Sequence, residues 1–101
     1  MKIFSAILFA MTAATASANC ERIDASENIY ELRAYGYEIR CACDQGDELV
    51  SGGCYTNYKG NLYTNTPAFQ NERWSWHCDS RDPDGWTRQA VHLKLFCRKT
   101  Q

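Results

Sequence analysis

The sequence predicts an all-β domain, a small disulfide-rich antiparallel sandwich or barrel of five or six strands, and three observations carry that expectation. Apolar side chains and cysteines recur at every second position in several stretches, which is the period of a half-buried strand. Six cysteines, at positions 20, 41, 43, 54, 78 and 97, form an even set in a short chain, the arithmetic of a disulfide framework. Between the alternating stretches lie clusters of Gly, Pro, Asn and Asp, the residues that turns between antiparallel neighbours use.

The chain opens with Lys2, an apolar run from Ile3 to about Ala14 and the small residues Ala16, Ser17 and Ala18. This is the pattern of a signal peptide over 1–18 that export removes. A run of about twelve apolar residues falls short of the roughly twenty that span a bilayer core. The mature chain is therefore expected to be a single domain over 19–101, secreted or periplasmic and not inserted in a membrane. It carries ten basic side chains against twelve acidic ones. That balance argues against nucleic acid, which calls for a clustered basic face.

Residues 20–28 are polar and mixed, and Ser26 with Glu27 suggests a short helical turn. Over 35–43 the chain alternates strictly, with Tyr35, Tyr37, Ile39, Cys41 and Cys43 on one side and Gly36, Glu38, Arg40 and Ala42 on the other. Residues 29–34 extend this strand, with Gly36 at a bulge, or form one helical turn. The acidic turn at Asp44, Gln45, Gly46 and Asp47 leads to a strand over 48–50, then Gly52 and Gly53 allow a bend before Cys54. Residues 54–58 and 62–64 flank Lys59, Gly60 and Asn61, a strand, turn, strand signature in which Gly60 supplies the positive φ. Pro67 ends pairing, and residues 66–72 are expected to be a loop. Trp74, Trp76 and Cys78 then share an inward face, opposite Arg73, Ser75, His77 and Asp79. The run at 79–85 holds Pro83 and Gly85 and predicts a turn. The last strand points Val91, Leu93, Leu95 and Cys97 inward, and His92, Lys94, Phe96 and Arg98 outward.

Six cysteines allow fifteen pairings. Zinc is disfavoured because the spacing holds no pair of C-x-x-C knuckles. Loop closure favours near neighbours, and a two-residue step does not bridge Cys41 to Cys43 along one strand. The pairing expected on this basis is Cys20–Cys41, Cys43–Cys54 and Cys78–Cys97, each bridge contributing about 3 kcal/mol.

The pattern Cys43-x-x-Gly46-x-x-Leu49-Val50-Ser51-Gly52-Gly53-Cys54, followed by Pro67, Trp76-x-Cys78 and a hydrophobic strand ending in Cys97, resembles a small disulfide-stapled β module of exported bacterial proteins. The resemblance spans roughly residues 39–97 and implies pairing of Cys43 with Cys54 and of Cys78 with Cys97. Asp44 stands where the module has a proline, and Cys20 with Cys41 adds a bridge. It implies fold and compartment, and no common activity.

For catalysis, the imidazoles are His77 and His92. A set built from Ser75, His77 and Asp79 fails on spacing, because residues two apart on one strand face stand about 7 Å apart. Asp79, Asp82 and Asp84 are the metal candidates, since calcium takes several carboxylate and carbonyl oxygens from a flexible loop. Aspartate beside glycine is also ordinary turn chemistry, and the expectation is that no cofactor is needed. The aromatic content points further: three Trp and six Tyr all lie beyond residue 18. Tyr58, Tyr63 and Trp86 sit near turns, where flat rings with a polar edge suit sugar rings and protein surfaces alike. The function expected is a secreted, non-enzymatic binding module for a glycan or a protein surface. The alternatives are an inhibitor or toxin-like effector acting through a protruding loop at 64–72, and a small extracytoplasmic hydrolase using His77 or His92.

Overall fold

A computed structural model describes residues 19–56 and 61–100. Residues 1–18, expected as a leader, and residues 57–60, with Tyr58 and most of the expected turn at Lys59, Gly60 and Asn61, lie outside the described residues. The strands are β1 (Glu21–Asp24), β2 (Ile29–Gly36), β3 (Ile39–Ala42), β4 (Glu48–Tyr55), β5 (Asn61–Gln70), β6 (Arg73–Arg81), β7 (Arg88–Gln89) and β8 (Val91–Arg98). They form two antiparallel sheets. One has the order β1-β2-β8-β4, and the other β3-β6-β5, with β7 also paired to β6. The all-β disulfide-rich sandwich is thus present, with more strands than expected.

Three local departures separate the structure from that expectation. The polar segment after Cys20 is β1, with no helical turn, because it pairs along β2 from Glu21↔Arg33 to Asp24↔Tyr30. The long alternating stretch at 29–43 is two strands in different sheets. Glu38 takes a positive φ of 54° between them, and the chain crosses from one layer to the other. Crossing reverses the facing: Tyr30, Leu32 and Ala34 are buried in β2, Ile39 and Cys41 in β3, and Tyr35 and Tyr37 are exposed. Finally, residues 66–70 belong to β5. Pro67 stands opposite Trp76 in a register that runs without a shift from Thr64 to Gln70, and it is tolerated because β5 is an edge strand, where a missing N–H breaks no ladder. The hairpin turns at Asn71 and Glu72, whose φ values of 54° and 62° suit the type I′ geometry that favours right-twisted hairpins. That tip is held, since Gly46 donates its N–H to the Glu72 carbonyl at 3.0 Å and Gln45 Nε2 donates to Glu72 Oε1 at 3.1 Å.

Last-strand facing is as the sequence implies. Val91, Leu93, Leu95 and Cys97 are at most 1% exposed, and they meet Tyr30, Leu32, Ile39, Cys41 and Cys78 in one core. Trp74 and Trp76 pack against this core from the second sheet.

The disulfides are Cys20–Cys41, Cys43–Cys97 and Cys54–Cys78. The first is the one expected; the proposed Cys43–Cys54 and Cys78–Cys97 pairs, and the module's pairing with them, are corrected. Cys97 stands opposite Leu49 at one end of β4, and Cys54 opposite Leu93 toward the other, so the two cysteines of the Gly-Gly-Cys unit belong to different ends of the sandwich. Cys54–Cys78 instead joins β4 to β6 across the two sheets, Cys43 just after β3 is tied to β8, and Cys20 just before β1 is tied to β3. Proximity in sequence gave the wrong answer because loop-closure cost rises only about 0.6 kcal/mol per doubling of loop length, which layer geometry easily overrides.

Gly52 does in packing what its flexibility suggested it does in bending. A Cβ there would stand 2.5 Å from Trp76 Cε3 and 2.8 Å from Cδ2, so the indole lies against bare backbone of the opposite sheet. Gly53, one residue on, has nothing within 4 Å of a Cβ position. Gly52→Ala is expected to destabilise the fold by about 1–3 kcal/mol through overpacking, and Gly53→Ala by much less. Urea denaturation of the two variants checks this; equal midpoints would contradict the packing role.

Candidate functional site

Alternation along β2, β8 and β4 lays the outward residues of the four-stranded sheet into cross-strand rows. Register places Tyr35 opposite His92 and His92 opposite Tyr55. The rings touch: Tyr35 and His92 have centroids 4.4 Å apart, tilted by 40°, and His92 stacks on Tyr55 at 4.6 Å within 9° of parallel. Three strands therefore contribute one continuous aromatic ridge. Tyr35 and Tyr55 remain 55% and 47% exposed, so the ridge offers surface as well as cohesion.

The next row holds Glu21, Arg33, Lys94 and Gly53, taken from β1, β2, β8 and β4 in turn. Beyond it, Phe96 stands between Glu31 and Ser51. Two adjoining depressions follow these rows. One, of about 360 Å³, is lined by Tyr35, Tyr55, His92, Arg33, Lys94 and Glu21, with Asn19 at its rim. The other, of about 280 Å³, runs over Ser51, Gly52 and Gly53 between Tyr55, Lys94 and Phe96. Tyr55 and Lys94 line both. Arg33 Nε donates to Glu31 Oε2 at 2.7 Å, and that bond, followed by the charge of Glu31, raises the guanidinium above its ordinary pKa. Lys94 is exposed and has no ion pair among the described residues.

The residues singled out from sequence sit elsewhere. Tyr63 reaches the 82–87 turn that carries Trp86: Tyr63 Oη lies 2.7 Å from where a Cβ on Gly85 would be, and Arg81 sits over the Tyr63 ring at 5.4 Å. Trp86 is 84% exposed. Its backbone is nonetheless fixed, because the Trp86 and Thr87 N–H groups donate to Asp84 Oδ1 at 2.7 and 3.2 Å, bonds that hold the Asp84 carboxyl below its usual pKa. Asp79 is buried beside Arg81 Nη2 at 3.4 Å, and Asp82 accepts from Gln89 Nε2. The three aspartates thus serve separate local bonds, and no group of three or more His, Cys, Asp or Glu converges as a metal site among the described residues. Ser75 Oγ donates to the Ala68 carbonyl at 3.4 Å, and no hydrogen bond links Ser75, His77 and Asp79 among the described residues. His92 is engaged by two tyrosine rings.

Sequence reading missed the ridge because it kept Tyr35 on the cysteine face. The available signal was Gly36 before the polar Glu38, which marks where the facing reverses. Comparison with protein-family models, with curated proteins and with solved structures gives no match.

Proposed function

We propose that the protein is a secreted, non-enzymatic binding module that takes a glycan along the outer face of the four-stranded sheet. The observation that carries this is the Tyr35–His92–Tyr55 ridge bordering the two adjoining depressions. Rings set on paired strands are pre-organised, so binding costs little ordering. Arg33, Glu21 and Lys94 beside them supply donors and acceptors for sugar hydroxyls. Three disulfides belong to an oxidising compartment, which with the leader-like 1–18 segment supports export. Among the described residues, no helix is long and apolar enough to cross a membrane.

A protein surface is the second reading, favoured by Trp86. An 84%-exposed indole on a turn braced by Asp84 has the form of an interface anchor. The two readings separate by mutation. Tyr55→Ala is expected to weaken glycan binding about tenfold or more, the loss of roughly 1–3 kcal/mol of ring contact, and Gly53→Phe to block it by filling the open floor. Trp86→Ala should leave it intact. Titration calorimetry of the oxidised domain against an oligosaccharide panel measures this, and binding lost only in Trp86→Ala would move the site to the turn.

A further inference from the structure

The depression between β8 and β4 differs chemically from its neighbour. On the β2 side, Arg33 is held by Glu31 at 2.7 Å and stands opposite Glu21 in the β1 register, so its charge is locally answered. On the β4 side, the lining is Tyr55, Phe96, Ser51, Cys54, the glycine backbone and Lys94, and among the described residues Lys94 brings the only charge to it.

Register sharpens the point. The two residues directly opposite Lys94 are Arg33 and Gly53. A like charge directly across a strand pair is unfavourable, and on the other side there is no side chain at all. Glu31, one row away, already accepts from Arg33. A neutral sugar settling over this floor would exchange the ammonium's water for hydroxyl contacts and leave its charge unanswered. An anion placed there would face Lys94 directly, with Arg33 next in the same row beyond it. The absence of a Cβ contact at Gly53 leaves room for a flat ring to lie close to the backbone between Tyr55 and Phe96.

We propose that this half of the face is a subsite for a carboxylate-bearing sugar, a hexuronate residue whose carboxylate pairs with Lys94 while its ring covers the Gly53 floor. The neighbouring depression takes the adjoining sugar through hydroxyl contacts. This inference rests on the glycan reading above and names the ligand class for it.

The test titrates the oxidised domain with trimers of galacturonate, glucuronate and mannuronate, with their methyl esters, and with neutral trisaccharides. At least one acid trimer should bind about tenfold or more tightly than its methyl ester, the worth of a charge-assisted hydrogen bond, and its affinity should fall as salt rises. Lys94→Gln should abolish the preference for the acid form, and Lys94→Arg should keep it. Equal affinity for acid and ester, or a preference that survives in Lys94→Gln, overturns the inference. Binding of neutral sugars with no gain from the carboxylate overturns the hexuronate subsite and leaves the glycan face standing; a flat response to every saccharide overturns both.

Discussion

Cys43→Ala with Cys97→Ala is expected to be the most damaging paired substitution in the molecule. The Cys43–Cys97 bridge closes 54 residues, against 21 for Cys20–Cys41 and 24 for Cys54–Cys78. Constraint of the unfolded chain then contributes about 4 kcal/mol, compared with roughly 3 for either of the others. Packing enlarges the difference. Cys43 and Cys97 are both 0% exposed, so their loss also removes core volume. Four of the eleven buried apolar residues among those described are half-cystines, and a core of this size rarely supplies more than about 3–5 kcal/mol by itself. The double variant should therefore be largely unfolded at 37 °C, whereas Cys20→Ala with Cys41→Ala should retain a cooperative melt at lower temperature. Thermal denaturation of the two double variants reads this directly. Non-reducing peptide mapping gives an independent check, and a peptide joining Cys43 to Cys54 would contradict the cross-sheet pairing.

The second large effect belongs to Tyr30, and it depends on pH. Its ring is fully buried, Arg22 lies over it with the guanidinium carbon 3.8 Å from the centroid, and Arg22 Nη1 pairs with Asp44 Oδ2 at 2.9 Å. The hydroxyl donates to Asp47 Oδ2 at 2.5 Å and accepts from the Asp44 N–H at 2.9 Å. It thereby fixes the acidic turn to β2. Burial, together with the bond to Asp47, pushes the phenol pKa up to about 12. The folded state thus holds this proton more tightly than the unfolded chain does. Stability from that difference is fully present below the unfolded value near pH 10 and is lost as pH rises toward 12. Two units correspond to about 2–3 kcal/mol. Tyr30→Phe is expected to cost about 1–3 kcal/mol at neutral pH, because the Asp44 N–H and the Asp47 carboxylate lose a partner, and to remove the part of the alkaline loss that Tyr30 causes. Urea midpoints of both proteins between pH 7 and 11 measure it; parallel curves would show that Tyr30 does not control the alkaline limb.

Much of the fold was legible in the chain. Val91, Leu93, Leu95 and Cys97 alternate without interruption, and β8 is the central strand they predict, paired on both sides by β2 and β4. Where strict alternation continued through a change of layer, the reading failed. Tyr35 and Cys41 keep the same parity in sequence, yet one faces solvent and the other the core, because Glu38 turns the chain between sheets. Nothing in period two distinguishes one long strand from two strands joined at such a corner. The hairpin at Asn71 and Glu72 lacks the glycine that normally announces a type I′ turn, and Pro67 suggested a stop where an edge strand merely accommodates it. Disulfide partners were hidden for the same reason as the ridge: both depend on which sheet each strand joins. Trp86 and Tyr63 were visible as exposed aromatics near turns, and the structure places them there. Tyr35, His92 and Tyr55 are separated by twenty residues or more from one another, and register alone brings them together.

The central claim is that ligand binds across the outer face of the four-stranded sheet. Its most direct test is a two-dimensional amide NMR titration of uniformly labelled, oxidised protein with the tightest saccharide of the panel. Perturbations should cluster at Arg33, Tyr35, Gly53, Tyr55, His92 and Lys94, with Trp86 and Gly85 unmoved. Perturbations confined to the 82–87 turn and Tyr63, or shifts absent from the sheet altogether, would contradict it.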